Sequence, residues 1–250
     1  MAINEIVATV SLVLQLKANA TIGSATGFFY ERNNNLFLVT NQHVVRDEVH
    51  NVIPDTLRLK LHTDPNDIGK NADFDIALYN GNQHSWKIHT SHSDADIAVI
   101  KLDKAALVGK FFVKAWSSQA FLPKQYSLHP GDDVFIMGYP LGFYDTKNNI
   151  PIFRNAMIAS TYGVPFQGLP LFLTDANLHP GTSGSPVITK PKSTWVDDQG
   201  NTALVTGTTY YLVGVHSATL GVTPVGKPEI PLGLGAAWNA ELVEEIAAQF

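Results

Sequence analysis

The chain has 250 residues, of which 45% are hydrophobic and 16% are charged, and its formal net charge at pH 7 is -5. This composition supplies a full core for one large domain or two small ones, and the acidic balance, without any Lys/Arg run, argues against nucleic-acid binding. The absence of cysteine excludes disulfides, zinc–thiolate sites and cysteine nucleophiles. No stretch approaches the roughly 20 consecutive apolar residues of a membrane span.

The first apolar segment, Ile6–Leu16, allows two interpretations. The triplet A-N-A at 18–20 is similar to a signal-peptide cleavage site, but the segment before it carries Glu5 and no Lys or Arg. The pattern over Val10–Leu16 is typical of a half-buried strand. We favour a strand of the folded domain over an export signal.

The rest of the chain is a series of short segments rich in Val, Ile, Leu, Phe and Tyr, most of them bounded by Gly, Pro, Asn or Asp. This pattern is typical of β-strands. Together with the first segment, the predicted strands are Val7–Leu16, Ala25–Glu31, Leu36–Thr40, Thr56–His62, Phe74–Tyr79, Trp86–His89, Ile97–Leu102, Asp133–Met137, Ile152–Tyr162, Leu171–Thr174, Pro186–Ile188, Tyr211–His216 and Leu234–Ala237.

Three local signals lie between and after these strands. Asn80-Gly81 indicates a tight hairpin. The polar tract Lys190–Thr202 predicts a surface loop or hairpin. At the end of the chain, Asn239 is in position to cap a helix over Ala240–Gln249.

No strand is predicted between Lys104 and Pro130, and about six predicted strands lie on each side of this stretch. Helical periodicity is missing everywhere except at the C-terminus. The sequence therefore predicts an all-β fold in two halves with one terminal helix.

Ser183 lies in H-P-G-T-S-G-S-P-V, residues 179–187. A serine between glycines on a tight turn exposes its hydroxyl and leaves backbone N–H groups free for a substrate oxygen, as a serine nucleophile requires. Such turns are also common in β proteins without a catalytic role. Two other segments strengthen the signal: His43 follows an apolar strand in L-V-T-N-Q-H-V-V, and Asp96 precedes a buried run in D-I-A-V-I-K-L. A single His, Asp or Ser in such a position more commonly has a structural role, but His43, Asp96 and Ser183 together suggest a catalytic triad.

Six ordered motifs resemble those of the chymotrypsin-fold, trypsin-like serine proteases, of the bacterial type that includes glutamyl endopeptidases and the protease domain of HtrA-type proteases. They are A-T-G-F-F (25–29), the His43 segment, the Asp96 segment, V-F-I-M-G-Y-P-L-G (134–142), P-G-T-S-G-S-P (180–186) and L-V-G-V-H-S (212–217). The resemblance covers nearly the whole chain.

The resemblance implies two six-stranded antiparallel Greek-key barrels with a C-terminal helix. Residues 1–115 would form the barrel that carries His43 and Asp96, and residues 116–250 the barrel that carries Ser183, together making one protease domain. Ser183 would attack the scissile carbonyl, His43 would take and return the proton, and Asp96 would orient the imidazole. The backbone N–H groups of Gly181 and Ser183 would form the oxyanion hole.

A second carboxylate competes with Asp96. Asp75 also begins an apolar string, but that string leads directly into the predicted hairpin at 80–81. The family's acid segment follows a strand and a turn, which Trp86–Leu102 supplies, so we predict Asp96. Asp94 is a weaker alternative, since no apolar run follows it directly.

The resemblance also bears on substrate preference. Trypsin-like cleavage after Lys or Arg requires a carboxylate six positions before the nucleophile, and that position is Asn177. His216, followed by Ser217 and Thr219, lies on the strand that would line the specificity pocket. A matching His binds Glu or Gln in some relatives, because an imidazole can donate a hydrogen bond to a carboxylate or an amide. We expect cleavage after Glu or Gln; the alternative is that His216 is a satisfied core histidine.

Thr182 stands where the family usually has Asn or Asp, and in the digestive enzymes that Asp pairs with a freshly cut N-terminus. Activation of that kind is not expected here, so either the substitution is tolerated or the oxyanion loop needs a partner to order it. No histidine pair has metal-ligand spacing, and the run His84, His89, His92 crosses a predicted hairpin. We expect no metal and no cofactor.

The predicted function is an endopeptidase acting on proteins or peptides, with no nucleic-acid or membrane partner. The alternatives are a catalytically silent, protease-like peptide-binding module and a protease activated only by a regulatory protein. A non-peptidase serine hydrolase would need a G-x-S-x-G elbow on a βα unit, which is absent. We expect a location in the bacterial cytosol, with secretion as the alternative.

Overall fold

The computed structural model describes residues 4–197, 199–204 and 209–250. The architecture is mostly β, as predicted. The strands are β1 Val10–Lys17, β2 Ala20–Arg32, β3 Asn35–Thr40, β4 Thr56–His62, β5 Asn71–Ala77, β6 Tyr79–Asn80, β7 Gln83–His84, β8 Trp86–Lys87, β9 Ala98–Lys101, β10 Asp133–Gly138, β11 Ile152–Ile158, β12 Leu171–Asp175, β13 Pro186–Thr189, β14 Thr194–Val196, β15 Thr202–Leu204, β16 Leu212–Val222 and β17 Ile230–Asn239. The α-helices are α1 Gln42–Val45, α2 Lys104–Leu107 and α3 Glu241–Ala247, and 3-10 helices cover Glu5–Thr9, Ser118–Ala120 and Pro140–Gly142.

The N-terminal half forms an antiparallel sheet of seven strands in the order β5-β4-β1-β2-β3-β9-β8, where six strands were predicted. β1 lies between β4 and β2, so the segment Val10–Leu16 is a strand of the sheet. It begins later than predicted, because Glu5–Thr9 forms a 3-10 helix in which Ile6 donates its N–H to the Asn4 side chain. Side chains of alternate strand residues meet in an apolar core that includes Val13.

The C-terminal half is a closed barrel of six strands in the order β10-β11-β12-β17-β16-β13, in agreement with the prediction. Its interior is filled by apolar side chains such as Phe172, Val187 and Val213. Beyond the barrel, β16 and β17 continue as a two-stranded arm whose last pair is Val222↔Ile230.

The two halves share a core. Phe28 and Val39 from the N-terminal sheet lie in one apolar cluster with Tyr139 and Val215 from the barrel. This apolar interface fixes the relative position of the halves. Residues at its edge, from either half, therefore face each other in a defined geometry. The division into residues 1–115 and 116–250 stays a prediction.

The terminal helix α3 is shorter than predicted, and Asn239 is not its cap. Asn239 is the last residue of β17, and Ala240 occupies the N-cap position without a side-chain hydrogen bond. Burial decides this boundary: Ala240 is fully buried, and the apolar face of α3 packs into the shared core. On its other side Glu244 accepts a 2.7 Å hydrogen bond from the Arg32 guanidinium.

Two predicted hairpins are present. β6 and β7 pair through Asn80↔Gln83, and Gly81 in the turn between them has a φ of 60°. The polar tract after residue 190 forms the hairpin β14–β15, which buries Trp195.

Candidate active site

His43 and Asp96 come together because their elements are neighbours in the sheet. β3 pairs with β9 through Thr40↔Ala98, so the end of β3 lies beside the start of β9. His43 follows β3 on the short helix α1, and Asp96 lies just before β9. The Nδ1 atom of His43 is 2.7 Å from Oδ2 of Asp96, and the backbone N–H of His43 donates to Oδ1 at 3.0 Å.

A third donor to Asp96 comes from the barrel. The Ser217 hydroxyl on β16 donates a 2.6 Å hydrogen bond to Oδ2 of Asp96. Sequence reasoning placed Ser217 only along the specificity pocket, because its contact with Asp96 depends on how the two halves pack. The carboxylate therefore accepts bonds from both halves of the molecule.

Electrostatics couple the imidazole and the carboxylate. Burial lowers the pKa of His43, but the hydrogen bond and negative charge of Asp96 raise it by more, so that it lies above its ordinary value. Burial raises the pKa of Asp96, but the bonds from His43 and Ser217 outweigh this and leave it below its ordinary value. Asp96 is thus held ionised beside an imidazole of increased basicity.

The competing acids lie elsewhere. Asp75 is on the edge strand β5, where both of its carboxylate oxygens accept 2.7 Å hydrogen bonds from the Arg58 guanidinium. Asp94 is exposed to solvent.

Ser183 lies on a turn made by two glycines. Gly181 and Gly184 have φ values of 95° and 82°, which side-chain-bearing residues rarely adopt. The Ser183 hydroxyl is 3.5 Å from the Ser217 carbonyl oxygen, to which it donates a long hydrogen bond. Within the described residues no hydrogen bond joins it to the imidazole of His43.

The peptide bond before Gly181 has a fixed orientation. The carbonyl of Pro180 accepts a 2.6 Å hydrogen bond from the N–H of Leu141. Because the carbonyl and N–H of a trans peptide point in opposite directions, the Gly181 N–H points away from Leu141. In the described part of the chain, neither this N–H nor that of Ser183 donates a hydrogen bond, so both are available to a ligand. A Cβ at Gly181 would lie 2.5 Å from the Tyr139 carbonyl oxygen.

Thr26 on β2 holds this turn from the N-terminal sheet. Its N–H donates to the Ser183 carbonyl at 2.9 Å, and its hydroxyl donates to the Gly181 carbonyl at 2.8 Å. The same hydroxyl accepts the N–H of Tyr139 at 3.1 Å. Sequence reasoning missed this residue, since A-T-G-F-F shows only an apolar strand with a small residue before its glycine.

Thr182 stabilises the turn internally. It is buried, and its hydroxyl donates to the His179 carbonyl at 2.8 Å. The hydroxyl thus satisfies its hydrogen bond within the turn.

His216 is buried on the inner face of the barrel, beside Gly235 and Thr174. Burial and the nearby His43 lower the pKa of His216 to about 4, so its imidazole is neutral at pH 7. Its Nδ1 atom is buried without a hydrogen-bond partner among the described residues.

The other predicted pocket residues flank the segment that leads to Ser183. The Thr219 hydroxyl donates to the Leu178 carbonyl at 3.3 Å. Asn177 is exposed, and its carbonyl accepts a 2.9 Å hydrogen bond from Arg154. No sequence motif pointed to Arg154.

No group of three or more His, Asp or Glu side chains among the described residues is placed to hold a metal ion. His89, from the histidine run considered above, bonds Glu245 of α3 at 2.6 Å. In the part of the chain that the structure describes, no helix has the length and apolar character needed to cross a membrane.

Comparisons with known proteins agree with the geometry. A family model for the trypsin-like peptidase domain matches residues 25–196. No curated protein sequence matches the chain. Among solved structures, the chain is similar to a serine endoprotease from Yersinia pestis, with 16% identity, a TM-score of 0.54 and coverage of 97% of this chain. The chain spans 62% of the length of that protein.

A second similar structure is an inactive mutant form of a Mycobacterium tuberculosis protein, with 15% identity, a TM-score of 0.48 and coverage of 100% of this chain and 94% of the other.

The family model extends over more than half of the sequence. The chain therefore belongs to the trypsin-like peptidase family, and its fold is chymotrypsin-like.

Proposed function

We propose that the chain is an endopeptidase in which His43, Asp96 and Ser183 act as a catalytic triad. The observation that carries the proposal is the set of three hydrogen bonds to the Asp96 carboxylate, from the His43 ring, the His43 backbone and the Ser217 hydroxyl. These bonds occupy Nδ1 of the imidazole and leave Nε2 to take a proton. An imidazole held in this way is the general base that a serine nucleophile needs.

The proposed reaction proceeds through an acyl-enzyme intermediate. Ser183 Oγ attacks the carbonyl carbon while its proton passes to Nε2 of His43. The resulting oxyanion is stabilised by the N–H groups of Gly181 and Ser183, each such donor contributing about 3 kcal/mol. His43 then gives its proton to the leaving amine, and water repeats the sequence to release the acid product.

We further propose that cleavage follows Glu or Gln. The His216 imidazole lies on the inner face of the barrel, and Ser217, Thr219 and Asn177 would flank the same pocket. The absence of a carboxylate at position 177 argues against a preference for Lys or Arg. The buried Nδ1 atom of His216 has no hydrogen-bond partner among the described residues, which suits an imidazole whose hydrogen bonding is completed by substrate.

A second candidate is a protease that becomes active only when a regulatory protein binds. The observation that favours it is the bond from the Ser183 hydroxyl to the Ser217 carbonyl, since this rotamer must change before His43 can take the proton. The held orientation of the Gly181 peptide argues against it, because the oxyanion donors need no partner to order them.

Labelling with a fluorophosphonate probe tests the proposal directly. We expect the purified chain to be labelled, and the Ser183→Ala variant to remain unlabelled. Labelling only after a candidate activator is added would favour the second candidate, and its absence in every condition would favour a silent peptide-binding module. A panel of peptides that differ only in the residue before the cut bond tests the preference; fastest cleavage after Lys or Arg would rule out Glu or Gln.

A further inference from the structure

Arg154 differs from the other three arginines of the chain in having no acidic partner among the described residues. The others form ion pairs: Arg32–Glu244, Arg46–Glu48 and Arg58–Asp75. Arg154 instead uses its Nη2 atom to donate to the carbonyl of Asn177. A guanidinium has five N–H donors, so most of this cation's donors remain available to a ligand.

The position of Arg154 follows from the alternation of β11. Arg154 lies two residues before Ala156 and four before Ile158, both of which point into the barrel core, so all three share one face of the strand. The register Ile158↔Thr174 runs antiparallel, so Arg154 and the residues after β12 lie at the same end of the barrel. The contact with Asn177 agrees with this placement.

The segment Asn177–Ser183 links the cation to the candidate nucleophile. Arg154 bonds the first carbonyl of this segment, Thr219 bonds the second, and Ser183 ends it. The acidic residue that immediately precedes this segment, Asp175, is exposed and forms no ion pair with Arg154 within the described residues. The segment that leads to Ser183 therefore begins beside a positive charge that has no counter-ion among the described residues.

The positive charge of Arg154 matters for specificity because His216 alone distinguishes Glu from Gln only weakly. A neutral imidazole can donate one hydrogen bond, which either the amide oxygen of Gln or the carboxylate of Glu can accept. The bond to the carboxylate is the stronger one, and a cation near the same carboxylate increases this difference because it interacts with the negative charge itself. The Arg154 guanidinium would provide that cation, because charge-assisted hydrogen bonds to a carboxylate are about twice as strong as neutral ones.

We propose that Arg154 forms an anion site at the base of the specificity pocket and selects a substrate carboxylate, so that the enzyme cleaves after Glu in preference to Gln. This inference rests on the proposed endopeptidase function and narrows it to one substrate class. Arg154 is a specificity-determining residue, and it takes no part in the proton transfers.

The test compares peptides that carry Glu, Gln or Lys before the cut bond, using the wild type and the Arg154→Gln, Arg154→Lys and Arg154→Glu variants. The wild type is expected to cleave after Glu at least tenfold faster in kcat/KM than after Gln, a difference of about 1.4 kcal/mol. Arg154→Gln loses this preference but keeps its rate after Gln, Arg154→Lys restores part of it, and Arg154→Glu shifts the preference toward Lys. Arg58→Gln is the matched control, since Arg58 lies on β4 with Asp75 as its partner, and it retains the wild-type order.

Two results would overturn the inference while leaving the peptidase assignment intact. One is wild-type cleavage after Gln that equals or exceeds cleavage after Glu. The other is an Arg154→Gln variant that loses activity on all peptides equally, which indicates a structural role. If no peptide is cleaved, the anion site is tested by binding instead, with fluorescence anisotropy of labelled peptides and the Ser183→Ala protein. Tighter binding of the Glu peptide than of the Gln peptide, lost when Arg154 is also replaced, supports the anion site. Equal binding of the two peptides refutes it.

Discussion

Replacement of Thr26 by valine removes one buried hydroxyl at almost constant volume. The Gly181 carbonyl then loses its 2.8 Å donor and the Tyr139 N–H loses its 3.1 Å acceptor. Thr26 is completely buried, so water cannot replace these partners. An unsatisfied buried polar group costs about 1–3 kcal/mol, so two of them should lower the free energy of unfolding by about 2–6 kcal/mol.

The same substitution should slow catalysis. Release of the Gly181 carbonyl loosens the turn around Gly181, the residue whose own N–H we assign to the oxyanion hole. Loss of one such donor costs about 10²–10³ in kcat. We expect Thr26→Val to reduce kcat by about tenfold or more with little change in KM, because the donor acts mainly on the transition state. Urea unfolding and peptide hydrolysis measure the two effects.

Thr26→Ser is the matched control because it keeps the hydroxyl and loses only a methyl group, at about 1 kcal/mol of stability. It should retain kcat within about threefold of the wild type. If Thr26→Val and Thr26→Ser lose the same activity, the methyl group matters rather than the hydroxyl, and the argument about the oxyanion loop is refuted.

Three further predictions concern titratable groups. Asp96→Asn should reduce kcat by about 10⁴, while Asp75→Asn should leave it within about twofold; equal losses would contradict the choice of Asp96. The rate of Ser183 labelling should rise with pH through the raised pKa of His43, and this midpoint should move to lower pH in Asp96→Asn because the stabilising charge is gone. The folded-state pKa of His216 is depressed to about 4 from 6.5, so the unfolded chain binds the extra proton between these values and stability falls as pH decreases, by about 3 kcal/mol in full. Urea unfolding of the wild type and His216→Gln between pH 7 and 4 should show this loss only in the wild type; the same pH dependence in both would contradict it.

Local sequence signals predicted most of the strands and the turns between them. Asn80-Gly81 suits a two-residue hairpin turn because its glycine accepts a positive φ at no steric cost, and β6–β7 form that hairpin. The prediction that Asn239 caps the terminal helix was wrong, because burial of Ala240 in the shared core outweighed the capping propensity of Asn239. Boundaries of this kind depend on packing, to which distant residues contribute.

The candidate site likewise combines residues that local sequence patterns indicate with contacts that depend on packing between distant residues. Side-chain type and order along the chain led to the prediction of His43, Asp96 and Ser183, because few residue types can serve as base, acid and nucleophile. The hairpin signal after Asp75 favoured Asp96 as the acid, but only the folded structure shows that the Asp75 carboxylate is bonded to Arg58 on the neighbouring strand.

The sequence by itself determined the all-β class and led to the prediction of three reactive residues, because strand patterning and nucleophile turns are encoded over a few neighbouring positions. Only the tertiary structure showed which groups contact the candidate site: the Thr26 hydroxyl on the Gly181 carbonyl, the Ser217 hydroxyl on Asp96, and the Arg154 guanidinium on the Asn177 carbonyl. Each of these contacts joins residues far apart in the chain, and its energy depends on burial and on the presence or absence of a partner. Such properties arise when the two halves pack, and no local pattern in the sequence records them.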